Sequence, residues 1–203
     1  MRCRKCGTGD RSLTEARSLP TLNEMEKRLK LVQYGLRLWA REKAKQIRAR
    51  VESVLEALRP GDVLIVDAAE VEAFDFSFAD ELFAKTLLIL GAEYPGRFMI
   101  VENLSECANE NLAKALENLN LTIIERKKGK LGLLGKVHPT DHETFAQVVA
   151  AEATSAATLS KRLQVNLTAM NERLSKLTSL GLVRREKASS ASGREQYVYK
   201  VLS

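Results

Sequence analysis

Between Thr154 and Leu202 the chain sets two short amphipathic segments, a tight connector, a glycine stop and an alternating return, and few arrangements can satisfy all of these at once. The stretch reads TSAATLSKRLQVNLTAMNERLSKLTSLGLVRREKASSASGREQYVYKVL. The first helix is expected to end at Leu163, with a turn through Gln164 and Val165 and a second helix opening at Asn166. Asn is a favoured cap because its side-chain oxygen accepts from an amide two or three residues on. Leu159, Leu163, Met170, Leu174 and Leu177 recur at helical spacing and predict the buried face of the pair. Thr168, Asn171, Arg173, Ser175 and Lys176 then face outward. Gly181 stops the helix, Val183 starts one strand, and Tyr197 to Val201 alternates as the returning one.

The pattern from Pro139 to Leu202 resembles the winged helix-turn-helix domains of bacterial MarR- and ArsR-type regulators. The resemblance implies a module that places its second helix in the major groove of duplex DNA and lays a basic hairpin along the backbone. Thr168, Asn171 and Arg173 are the candidates for base edges, since Asn suits adenine and Arg suits guanine. Lys161, Lys176, Arg184, Arg185 and Arg194 are the candidates for phosphate contact. Family members bind as homodimers on two half-sites, so a homodimer is expected here. The other use of such a module is protein contact alone.

Charge divides the chain in the same way. Residues 1–59 hold fifteen Lys/Arg against seven Asp/Glu, residues 60–125 three against thirteen, and residues 126–203 fourteen against six. A basic end can attract a polyanion, whereas the acidic middle repels one, so two modules with different partners are expected. No run approaches the ~20 apolar residues of a membrane span, and the Arg-rich start lacks an apolar signal core. Three cysteines without a paired framework suit a reducing compartment, and the expected location is the cytoplasm, away from membranes.

The middle region follows a mixed α/β rhythm. Arg28 to Tyr34 is read as a first strand. Ala40, Ala44, Ile47, Val51, Val54 and Leu58 mark an amphipathic helix that ends at Pro60-Gly61. Val63–Val66 and Phe98–Val101 are continuous apolar runs of the kind found in buried strands. Helices are expected over 78–90 and 106–119, a strand over 121–124, and a hairpin turned at Lys127-Lys128-Gly129-Lys130. The fold class is therefore α/β (α+β), a sheet with packed helices followed by the winged helix.

Within this region RPGDVLIVDAAEVEAFDFSFADELFAKTLLILG, preceded by the basic helix WAREKAKQIRARVESVLEAL, resembles a STAS-like domain family. That family is related to STAS domains of anti-sigma-factor antagonists, in which an Asp-x-Ser-Gly turn carries a phosphorylatable serine. Ser77 in Asp75-Phe76-Ser77-Phe78 is its counterpart, and a phosphate there would meet a helix N-terminus. Phe78 stands where the antagonists have glycine, and Ser77 also reads as a plain helix N-cap with Asp80 at N3. The resemblance implies a sensing or protein-interaction role, with a regulatory protein as partner, and no catalysis.

Cys3 and Cys6, in Cys-x-x-Cys-Gly, have the shape of a zinc knuckle, but four ligands are needed and a second knuckle is absent. Cys107, His138 and His142 are the other residues of suitable type; a site shared across a dimer, or two free thiols, are the alternatives. Cys107 is expected as a small apolar residue and not a nucleophile, and His138-Pro139 as the start of a helix. Asp67, Glu70, Glu72 and Asp75 match no calcium loop and are read as a solvated acidic rim. No Gly-x-Ser-x-Gly or phosphate loop occurs, so an enzyme is not expected. The expected organisation is a basic segment over 1–20, a STAS-like domain over 21–136 and a winged helix-turn-helix over 137–203. The function expected of it is that of a DNA-binding transcriptional regulator. The alternative is an antagonist-like switch phosphorylated at Ser77.

Overall fold

A computed structural model describes residues 25–189 and 195–202. Cys3, Cys6 and Arg194 lie outside the described residues, so the zinc knuckle and one phosphate candidate have no structural account.

The two continuous apolar runs become the central strands of a mixed α/β fold. β3 (Val63–Asp67) and β5 (Phe98–Glu102) sit between β1 (Glu26–Lys30) on one side and β6 (Thr122–Lys127) and β7 (Lys130–Gly135) on the other. β1, β3, β5 and β6 run parallel and β7 returns antiparallel. Parallel neighbours need long crossovers. These are α1 (Arg41–Ala57), a continuous helix made of α2 (Phe76–Ala79), a π turn (Asp80–Ala84) and α3 (Lys85–Glu93), and α4 (Glu106–Asn118). A two-residue pair, β2 (Arg37–Leu38) with β4 (Ala73–Phe74), ties the start of α1 to that of α2.

All three crossovers cover one face of the sheet. Ile47, Val51, Leu82, Phe83, Leu112 and Leu116 pack there against Leu64, Val66, Met99, Val101 and Ile123. The alternate residues Val63, Ile65, Phe98, Ile100 and Ile124 point to the opposite face. They are buried too, beneath residues of the C-terminal segment that include Phe145, Leu177, Leu182 and Val183. Burial on both faces is the reason these strands read as unbroken apolar runs.

Several expectations shift. The first strand is β1, and Leu31–Tyr34 is a 3-10 turn closed by the Gly35 amide on the Val32 carbonyl (3.0 Å). The second helix begins at Phe76, two residues earlier than expected, because Asp75 and not Ser77 is its cap. The Asp75 carboxylate accepts from the Phe78 amide at 2.7 Å. Cys107, in the first turn of α4, is exposed. Asp67 is not part of a solvated rim: it is buried, and it accepts from the Arg28 guanidinium (3.1 Å), the Asn103 amide (2.9 Å) and the Ala69 amide (3.0 Å). The hairpin expected between β6 and β7 forms, with Lys128 and Gly129 both at positive φ. Gly135 is obligatory at the end of β7. Its φ is +102°, and a Cβ would stand 2.5 Å from the Leu121 carbonyl oxygen and 2.8 Å from the Leu116 Cβ.

Candidate nucleic-acid interface

The C-terminal segment builds α5 (Pro139–Ala151), β8 (Ala153–Ser155), α6 (Ala156–Leu163), α7 (Leu167–Ser179), β9 (Arg184–Ser189) and β10 (Glu195–Lys200). β10 lies between β8 and β9, antiparallel to both. Local chemistry places each boundary. His138 caps α5 ahead of Pro139, and Ser155 caps α6 by accepting from the Thr158 amide at 3.2 Å. Gln164 takes a left-handed conformation (φ 53°) that ends α6, and the Val165 amide bonds back to the Ser160 carbonyl at 3.0 Å. The Ser160 hydroxyl clamps the same turn by donating to the Val165 carbonyl at 2.7 Å. Asn166 then caps α7, accepting from the Thr168 amide at 2.8 Å.

Gly181 closes α7 at φ +68°, with the Leu182 amide reaching the Leu177 carbonyl (2.9 Å) and the Gly181 amide the Thr178 carbonyl (3.0 Å). This paired arrangement satisfies carbonyls that a helix end otherwise leaves open.

Leu159, Met170, Leu174 and Leu177 are buried and Leu163 packs beside them, as the periodicity predicts. The opposite side of α7 carries Thr168, Asn171, Glu172, Ser175 and Ser179, all exposed. Glu172 lies near the middle of that face on the helical wheel, and the sequence reading passed over it. A carboxylate there can accept from the amino group of cytosine. The signal that could have found it was the same periodicity that singled out Thr168 and Asn171.

The expected cations divide into two groups. Lys161 on α6 and Arg185 on β9 are exposed, and Arg185 lies over the Tyr197 ring at 4.6 Å. Lys187, not singled out from the sequence, is exposed two residues further along the same edge of β9. The other three are engaged within the protein. Arg173 is half-buried and pairs with Glu143 of α5 (3.6 Å), so it does not project with Asn171 toward a base. Lys176 faces outward as expected and is exposed, but its ammonium pairs with the buried carboxylate of Asp141 at 2.5 Å. Arg184 is only 8% exposed; it donates to the Gly61 carbonyl at 2.5 Å and lies over the Phe98 ring at 5.3 Å. It is thus placed against the sheet and away from any phosphate. Burial holds the Arg184 guanidinium below its ordinary pKa.

Ser77 occupies the first turn of α2, partly exposed. The Asp75 carboxylate already takes the amides of Phe78 and, at 3.4 Å, Ala40. Asp80, three residues on, shares its side of the helix. A phosphate on Ser77 would therefore share that side of the helix with the Asp80 carboxylate, which pairs with Arg41 at 3.0 Å. Among the described residues no group of three or more His, Cys, Asp or Glu could hold a metal ion, and no helix is long and apolar enough to cross a membrane.

No family model matches the chain, and no curated protein matches it. Among solved structures it is similar to a "Possible transcriptional regulator from Methanosarcina mazei Go1". The two are 19% identical over 33% of this chain and 57% of that one, with a TM-score of 0.30. This chain thus spans little more than half the length of that protein, and a likeness of this size bears on neither fold nor function.

Proposed function

We propose that this chain is a DNA-binding transcriptional regulator whose α7 enters the major groove of a duplex. One observation carries the reading: the polar face of α7 is exposed on the side turned from the sheet, while its apolar face is consumed in the core. A helix buried on both sides could not reach base edges. Asn171 takes the adenine-reading role and Glu172 accepts from cytosine, with Thr168 and Ser175 beside them. Lys161, Arg185 and Lys187 supply phosphate contacts from either side of the helix. The α/β body carries the helix and offers its own acidic surface to a protein partner.

A duplex selected from a random pool by the purified protein, followed by fluorescence anisotropy across a salt series, tests this. Affinity should fall steeply between about 50 and 200 mM salt, and Arg185→Ala with Lys187→Ala should reduce the log–log slope by about 2. Asn171→Ala should cost about 1–3 kcal/mol on the selected site and little on a scrambled duplex. Binding that ignores salt, or no enriched sequence at all, would overturn the assignment.

A further inference from the structure

A cleft of about 630 Å³ lies where α3 and the start of β5 face the C-terminal end of α7 and the start of β9, with Arg185 at its border with the proposed interface. Its volume lies within the few hundred to ~1,000 Å³ typical of small-molecule sites. Two features give it chemical character. Its apolar wall includes Leu88 and Leu180, which remain 55% and 40% exposed although they come from distant parts of the chain. Arg97, Arg184 and Arg185 are among the residues that line the same space, and no Asp or Glu is among the described residues that line it.

We propose that this cleft binds a small organic anion, a carboxylate on an apolar ring or chain. The Arg97 Nε donates to the Leu58 carbonyl at 2.8 Å, and the Arg184 guanidinium is held by the Gly61 carbonyl, so both cations are positioned before a ligand arrives. The Nη groups of Arg97 provide donors in the planar geometry that suits a carboxylate. Arg184 contributes its charge from behind. The C-terminal ends of α3 and α7 also border the cleft, each equivalent to roughly −0.5 of a charge. Together they amount to about one negative charge against the two positive ones of Arg97 and Arg184, so the field in the cleft favours an anion. The exposed leucines exclude a bare inorganic ion as the best fit, because its hydration would be lost against apolar wall without return.

The probes are 2-naphthoate and its neutral isostere 2-naphthamide, titrated into the full chain by calorimetry and by amide chemical shifts. Saturable one-to-one binding of 2-naphthoate is expected, at least tenfold tighter than the amide, with shifts at Gly91, Gly96 and Gly181. Leu88→Glu, at a side chain already in solvent, should weaken 2-naphthoate at least tenfold with the melting temperature unchanged. Arg97→Gln should narrow the preference for the anion while leaving the amide's affinity as it was. Absence of saturable binding overturns the proposal, as does equal affinity for the two probes or shifts that lie away from these glycines. None of these readouts involves DNA, so the cleft and the α7 interface stand or fall separately.

Discussion

β9 turns successive side chains to opposite faces, so Arg184 points at the sheet and Arg185 at solvent. Two adjacent arginines therefore do different work. Arg184→Ala should destabilise the protein by about 1–3 kcal/mol, through lost packing over Phe98 and an unmet Gly61 carbonyl, and leave the salt dependence of DNA binding unchanged. Urea unfolding beside anisotropy checks both halves; an altered salt slope would return Arg184 to the phosphate. Glu81 is the second residue whose role is set by its surroundings. It is fully buried in the π turn, within reach of Lys85 (2.5 Å), Arg48 (3.3 Å) and Arg41 (3.7 Å). Desolvation alone would raise its pKa, but the hydrogen bond from Lys85 and the charges of Arg48, Lys85 and Arg41 prevail and hold it below the usual carboxylate range. Its three cationic partners all retain contact with water, so Glu81→Gln should cost a moderate ~1–3 kcal/mol at pH 7. Because the folded pKa is depressed, that cost should shrink as pH falls through it, and the variant and parent unfolding curves should converge in acid.

At the scale of elements, α7 depends on its ends. Its cap is a single side chain, Asn166, and its far end is the Gly181 turn. Asn166→Ala should cost about 1 kcal/mol, and amide exchange should quicken first in the opening turn of α7. If exchange there were unchanged, the cap would contribute nothing and the turn after α6 would set the helix alone. These signals were legible in sequence because capping, left-handed stops and helical periodicity act over a few residues. Ser77 shows the limit of the same reasoning. Both Asp75 and Ser77 are good caps by type, and the choice of Asp75 follows from β4 pairing with β2, which fixes where the extended chain ends. The strand read over Arg28 to Tyr34 slipped for a similar reason: β1 is set by its register with β3, from Glu26 opposite Val63 to Lys30 opposite Asp67.

For the whole molecule, the sheet's second face is shared with the C-terminal segment, and this couples the two parts in stability. Ile100 lies in that shared core. Ile100→Ala should cost about 2–5 kcal/mol, and circular dichroism and α7 amide exchange should report one common transition. Two separate midpoints would mean that the C-terminal segment folds without the sheet beneath it. Acid should act on the same unit. Burial alone would raise the pKa of Asp62 and of Asp67. The amides of Arg59 and Met25 lower the first, and Asn103, the Ala69 amide and Arg28 lower the second; in both the lowering wins. Depressed carboxylates contribute stability that is complete above the unfolded value near 4 and lost below it. Stability should therefore hold from about pH 7 to 5 and decline as the folded carboxylates take up protons, with stability that rises on acidification as the contrary result.

What the sequence determined by itself was local: the helices and their stops, the hairpin, the apolar strands and the outward face of α7, each governed by contacts within about one or two helical turns. Those strands even announced that both their faces would be covered. What covers the second face was a tertiary matter, because Phe98 and Leu182 meet only after the chain has folded back across the sheet. The same closure decided which cations face solvent. Arg173 is drawn in by Glu143, thirty residues earlier, and Arg184 by a carbonyl more than a hundred residues away, whereas Lys176 pairs with Asp141 and stays exposed. An ion pair or a buried guanidinium depends on distance in space, which spacing along a chain does not encode beyond the reach of a single element.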